Sequence, residues 1–152
     1  MSDDLNELYQ QVILDHSRSP RNFRKLDAAN RTANGHNPLC GDQVKVYLLF
    51  ENDVIRDISF EGSGCAISKA SASMMTADLK GKTRAQVDQI FKRFRELVTT
   101  GRAGDEELGK LRVFAGVHNF PARVKCAILP WHAVVAALEG AVHPVTTETD
   151  AD

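Results

Sequence analysis

The chain has 152 residues, of which 43% are hydrophobic and 26% charged, and its formal net charge is −1. This size and composition fit one domain with its own core, and the balanced charge argues against nucleic acid or an anionic membrane as a partner. Residues 1–7 are acidic and lack the features of a secretory signal, and no apolar run is long enough to span a bilayer, so we expect a cytoplasmic protein without a membrane segment.

The first half of the chain predicts a helix followed by a small sheet. Apolar residues at helical spacing favour a helix over residues 4–19, which Pro20 ends. The polar stretch that follows holds a short edge strand near residues 32–34. Residues 44–50 and 54–60 are rich in β-branched and aromatic side chains around a turn, which predicts an antiparallel hairpin.

The second half predicts helices. Small residues favour a helix over 65–79, and Thr83 caps another with an apolar stripe. Next come a polar connector over residues 101–109 and a short apolar segment over 111–117, for which the sequence favours neither helix nor strand. A last helix runs from Pro121 to residue 139, with a kink or a restart at Pro130.

Strands grouped together and helices grouped together indicate an α+β fold, a small antiparallel sheet of about three strands with helices packed on one face. We expect a single domain over residues 1–142 and a flexible acidic tail over 143–152.

Cys40 and Asp42 form the first group with chemical potential. They flank Gly41 in Asn-Pro-Leu-Cys-Gly-Asp, residues 37–42, directly before a predicted strand. Gly41 allows a turn with positive φ, so a thiol and a carboxylate share a loop braced by a sheet edge. A plain turn, in which Asp42 bonds its own backbone, remains an alternative.

The other two cysteines lie at predicted helix starts. Cys65 follows Gly-Ser-Gly, and the helix N-terminus favours its thiolate. Cys126 lies early in the last helix beside Arg123 and Lys125, whose charges have the same effect. The alternatives are a close-packed buried cysteine, a surface turn and, at Gly-Ser-Gly, a phosphate cradle, although the residues that complete a P-loop are missing.

An odd number of cysteines and a reducing compartment argue against structural disulfides. Three thiolates and one carboxylate make four donors, the number that tetrahedral zinc takes. The spacing alone is weak evidence for a site, and the absence of a Cys-x-x-Cys pair excludes a zinc ribbon or knuckle.

These motifs together resemble a known family. Asn-Pro-Leu-Cys-Gly-Asp, Gly-Ser-Gly-Cys-Ala-Ile-Ser and Arg-Val-Lys-Cys-Ala are similar to the three signature segments of the IscU/NifU-N-like iron–sulfur cluster assembly proteins. The opening helix through Pro20-Arg-Asn22, and Phe114-Ala-Gly-Val, resemble the SufU branch of that family. The resemblance covers nearly the whole chain and implies a SufE/NifU-like fold.

The branch decides the implied function. Scaffold members usually carry histidine directly before the third cysteine, whereas this chain has Lys125 and a longer stretch over residues 94–117. The resemblance therefore implies a zinc-dependent sulfurtransferase that accepts persulfide sulfur from a SufS-type cysteine desulfurase, with the Suf assembly complex as a downstream acceptor. It implies the zinc ligands Cys40, Asp42, Cys65 and Cys126, with Cys40 as the sulfur acceptor.

Two alternatives stay open. The same residues could assemble a labile iron–sulfur cluster, or zinc could hold together a binding module that performs no chemistry. The five histidines are scattered, and His36 is the one nearest to Cys40 in sequence. The sequence assigns no role in the reaction to His36, or to Arg123 and Lys125 beyond the effect of their charges on Cys126.

Overall fold

The computed structural model describes residues 3–38, 41–102, 106–140 and 145–146. The elements in chain order are α1 (Asp3–Arg18), β1 (Arg31–Asn37), β2 (Asp42–Glu51), β3 (Val54–Ser63), α2 (Ala66–Leu79), α3 (Arg84–Thr100), a 3₁₀ segment (Glu106–Asn119), α4 (Pro121–Glu139) and β4 (Val145–Thr146). In this described part of the chain, no helix has the length and apolar character needed to cross a membrane.

The sheet has the order β3-β2-β1-β4, in which β1, β2 and β3 pair antiparallel. The predicted hairpin and the predicted α+β fold are therefore confirmed. A strand is present where the short edge strand was expected at residues 32–34. It is longer than predicted and extends over Arg31–Asn37 as β1. Its last residue, Asn37, pairs with Asp42, the first residue of β2, so residues 38–41 connect two paired positions at one end of the sheet.

The short strand β4 pairs in parallel with β1 at Gly35 and His36. It falls within residues 143–152, for which the sequence predicts a flexible tail. The other residues of that stretch lie outside the described part of the chain, so the domain boundary stays a prediction.

Helices α2 and α4 contact the sheet and each other. Buried hydrogen bonds join the two helices near the middle of each. The hydroxyl of Ser71 in α2 donates to the carbonyl of Ala127 in α4 at 2.5 Å, and the indole of Trp131 donates to Ser71 Oγ at 3.1 Å. All three residues are fully buried. The fixed relation between these helices matters because Cys65 directly precedes α2 and Cys126 lies in the second turn of α4.

The predicted break in the last helix is not observed as a restart. Helix α4 runs continuously from Pro121 to Glu139 and includes Pro130. The apolar residues 111–117, for which the sequence predicts no definite secondary structure, belong to the 3₁₀ segment. That segment is interrupted at Gly109, where φ is 50°. Its Phe114 packs on Phe94 of α3, which stacks on Trp131, so this segment closes the core on the side away from the sheet.

Candidate metal-binding site

Three side chains that the sequence singles out meet at one end of the sheet. The donor atoms of Asp42, Cys65 and Cys126 all lie within 4.8 Å of one another. They come from the start of β2, the residue before α2 and the second turn of α4. Cys40, the fourth predicted donor, lies outside the described residues, so its place in the group stays a prediction.

Asp42 is fully buried and holds the start of α2 against the sheet. Its Oδ1 accepts a hydrogen bond from the backbone N–H of Cys65 at 2.8 Å, and its Oδ2 lies 3.8 Å from Cys65 Sγ. A buried carboxylate is costly unless its oxygens are bonded, and here both oxygens have a partner in Cys65, the backbone N–H for Oδ1 and the thiol for Oδ2. The carboxylate is not bonded merely to its own turn, as the plain-turn alternative supposed.

Gly64 explains the glycine-rich stretch before Cys65. A Cβ atom at this position would lie 2.3 Å from Asp42 Oδ1 and 2.9 Å from its Cγ, closer than unbonded atoms can approach. The glycine therefore makes room for a carboxylate of the chain itself. This contact accounts for the second glycine of Gly-Ser-Gly without a bound phosphate.

Cys65 caps helix α2. Its backbone is extended, with φ −73° and ψ 167°, and its Sγ accepts from the backbone N–H of Ser68 at 3.4 Å. The pKa of the Cys65 thiol is lowered to about 6, chiefly because the Cys126 thiol donates to it and also because backbone N–H groups of Ser68 and Ile67 bond it. Burial and the Asp42 charge act in the opposite direction on this pKa. The thiolate expected at this helix start therefore has its donors in place.

Cys126 is fully buried, unlike the half-buried Cys65. Its Sγ lies 3.6 Å from the side-chain amide nitrogen of Asn37 and 3.6 Å from the carbonyl of Ala122. Neither Cys65 nor Cys126 is in a disulfide. Arg123 is exposed and Lys125 is partly buried one residue before Cys126.

The donor set suits a thiophilic divalent ion. Zinc binds cysteine sulfur at about 2.3 Å, so two donor atoms in a tetrahedral zinc site lie about 3.8 Å apart. The donor atoms here lie within 4.8 Å of one another, so they need to move only slightly closer together to bind zinc. No histidine belongs to this group in the described part of the chain. His36 is exposed on the face of β1 opposite to the buried Asn37.

Two contributors to the site were not assigned a role from sequence. In the sequence, Asn37 is only the first residue of the Asn-Pro-Leu-Cys-Gly-Asp motif, and Gly64 is only the second glycine of Gly-Ser-Gly. A buried-face signal could have found Asn37, since it continues the alternation of Ala33 and Gly35 along β1 yet is polar. No sequence pattern reports the contact between Gly64 and Asp42, because it joins separate elements.

The chain is similar in sequence to several known proteins. The family model of the NifU-like N terminal domain matches residues 8–127. The chain is 40% identical over 141 residues to the zinc-dependent sulfurtransferase SufU of Bacillus subtilis, covering 90% of this chain and 95% of that protein. It is 39% identical over 136 residues to the iron–sulfur cluster assembly scaffold protein IscU of Streptococcus pyogenes, covering 89% of this chain and 85% of the other.

Solved structures show the same fold. A crystal structure from Fervidobacterium islandicum, described as a candidate iron–sulfur cluster assembly scaffold protein for the SUF system, superposes with a TM-score of 0.80. The two chains are 38% identical, and the match covers 88% of this chain and 98% of that one.

Proposed function

The chain belongs to the family of the NifU-like N-terminal domain, and we propose that it is a zinc-dependent sulfur-transfer protein of iron–sulfur cluster assembly. The sulfur donor is a persulfide on a SufS-type cysteine desulfurase. The proposal draws on the likeness to the zinc-dependent sulfurtransferase SufU and on the thiol and carboxylate donors that converge beside the loop of Cys40.

Asp42, Cys65, Cys126 and Cys40 would hold the zinc ion. Two peptide units separate Cys40 from Asp42, so their Cα atoms lie within about 7 Å and the fourth thiol is within reach of the other donors. Zinc has no redox chemistry, and at this site it would keep its thiolate ligands deprotonated at neutral pH. Asp42 is the hardest of the four donors, and the two cysteines at helix starts are the more firmly placed.

The proposed transfer is a thiol exchange at sulfur. The Cys40 thiolate attacks the outer sulfur of the desulfurase persulfide and forms a new S–S bond. The S–S bond of the donor breaks, and the electron pair leaves with the desulfurase cysteine as a thiolate. The product is a persulfide on Cys40, and no external oxidant or reductant is needed. Cys40 suits this role because it belongs to the short connection between Asn37 and Asp42, two paired strand positions.

The experiment is desulfurase turnover with cysteine as substrate, measured with and without this protein. We expect the wild-type protein to accelerate turnover and Cys40→Ala to abolish the acceleration. Cys40→Ser serves as the matched variant, because it keeps nearly the same shape and replaces only the sulfur with oxygen. Acceleration by Cys40→Ala equal to that of the wild type would refute Cys40 as the acceptor. If neither the wild type nor Cys40→Ala accelerates turnover, the result refutes sulfur transfer and favours a zinc-binding module that performs no chemistry.

A cluster scaffold is the second candidate, because the chain is also similar to proteins named IscU. Lys125 argues against it, since a protonated amine cannot serve as a metal ligand. Metal analysis of protein purified without oxygen separates the two functions. Bound zinc without a visible chromophore supports sulfur transfer, and stable brown iron with sulfide supports the scaffold.

The surroundings of the reaction follow from the same proposal. A reduced cytoplasm would keep the thiols from forming disulfides. The Suf cluster-assembly complex is the proposed receiver of the transferred sulfur.

A further inference from the structure

Asn37 is a buried polar side chain at the end of β1 that lies beside Cys126. It is fully buried at the last position of the strand, directly opposite Asp42 in the register. Its side-chain amide nitrogen lies 3.6 Å from Cys126 Sγ. The amide therefore bridges the sheet and helix α4 at the point where a donor sulfur projects.

The helix is brought to this point by its close approach to β1. A Cβ atom at Gly35 would lie 3.0 Å from Leu129 Cδ1, so the small residue lets α4 approach the strand closely. Asn37 lies two residues further along the same face of β1, and Cys126 lies about one turn before Leu129. The packing of Leu129 on Gly35 thus sets the Cys126 sulfur over the Asn37 amide.

The chemistry of the acceptor explains why an amide is placed there. A neutral thiol is a weak acceptor and would poorly compensate a buried amide, whereas a thiolate accepts a charge-assisted hydrogen bond. A set of three thiolates and a carboxylate would carry a net negative charge even with zinc bound, and N–H dipoles lower the cost of that charge in a buried place. Alanine or glycine, as at the preceding inner positions, would supply none of this.

We propose that Asn37 is a positioning residue that donates an N–H···S hydrogen bond to the metal-bound Cys126 thiolate and thereby strengthens metal binding. The inference rests on the proposed function, since it assumes that Cys126 binds zinc. Hydrogen bonds to metal ligands orient them and tune their donor strength.

The test uses the full-length variants Asn37→Ala and Asn37→Asp, with Asn34→Ala as the matched control on the exposed face of the same strand. Zinc affinity is measured by competition with a chromophoric chelator. We expect both Asn37 variants to weaken zinc binding by about tenfold or more. Asn37→Asp has nearly the native shape, so a cavity cannot account for weaker zinc binding by this variant. Asn34→Ala should bind zinc as the wild type does.

A second readout separates ligand tuning from general destabilisation. In the cobalt-substituted proteins, the thiolate-to-metal charge-transfer band should move in both Asn37 variants and stay unchanged in Asn34→Ala. Zinc affinities within twofold of wild type with an unmoved band would overturn the inference and leave the proposed function intact. Failure of both Asn37 variants to fold would assign the residue to stability and also overturn it. A wild-type protein that binds no zinc would instead refute the proposed function.

Discussion

Asp42 serves the fold and the site with different oxygen atoms. Oδ1 accepts the backbone N–H of Cys65 and so joins the start of β2 to the start of α2. Oδ2 faces the Cys65 sulfur. Because the side chain is fully buried, neither oxygen can rely on bulk water. A change that moves this carboxylate by even a small distance should therefore affect the metal site before it affects the rest of the fold.

Gly64→Ala makes that change without replacing a donor residue. The added methyl group would lie 2.3 Å from Asp42 Oδ1, so the carboxylate and residue 64 must move apart, and the φ of 155° at this position adds backbone strain. We expect zinc bound per chain, measured by elemental analysis after dialysis, to fall well below the wild-type value.

Gly116→Ala is the control, because nothing lies within 4 Å of a Cβ atom added there. It should retain the wild-type zinc content. Full zinc content in Gly64→Ala would show that the position of the carboxylate does not limit metal binding.

At the scale of elements, the start of α2 combines a structural role with a chemical one. Cys65 caps the helix through its sulfur, which accepts from Ser68 N–H. The same sulfur is one of the three converging donors. The two roles can be separated, because a serine hydroxyl caps a helix well and is a poor zinc ligand.

Cys65→Ser and Cys65→Ala should therefore agree in metal binding and differ in stability. Both variants should lose high-affinity zinc binding. In the metal-free proteins, Cys65→Ala should unfold more easily than Cys65→Ser by about 1 kcal/mol, because alanine cannot accept from the Ser68 N–H. Urea unfolding followed by circular dichroism measures the difference. Equal unfolding free energies would mean that the cap contributes nothing to stability.

The elements themselves were largely readable from sequence, because their signals are local. The start of α4 at Pro121 and the capping of α3 by Thr83 depend on neighbours within one helical turn, and both are as predicted. Of the kink or restart expected at Pro130, the restart is absent, because tertiary burial of the helix before and after Pro130 outweighs the lost hydrogen bond. The bond from Asn37 to Cys126 was not predictable, since it joins distant segments through the approach of α4 to β1.

At the scale of the whole molecule, the three described donors come from elements that touch only in the folded chain. A metal ion held by them would bind the native state and have no comparable site in the unfolded chain. Metal binding is therefore linked to folding, and its free energy adds to the stability of the protein.

Removal of zinc should lower the melting temperature measurably. With zinc at about a thousand times its dissociation constant, the linked stabilisation is about 4 kcal/mol, which for a chain of this size corresponds to about 10 °C. Differential scanning calorimetry with and without a chelator measures the shift. Cys65→Ser is the reference protein, and its melting temperature should not respond to zinc. A wild-type melting temperature that ignores zinc would contradict the linkage.

The order of the donors along the chain also has a consequence for synthesis. Asp42 and Cys65 leave the ribosome together with the sheet, whereas Cys126 arrives only with α4. Because chains are made from the N-terminus, a nascent chain presents an incomplete set of donors for much of its synthesis. The set closes when α4 docks and Ser71 bonds Ala127. The three donors therefore come together only after α4 has been made and has docked, and a metal-delivery factor that needs all three would have to recognise the completed fold.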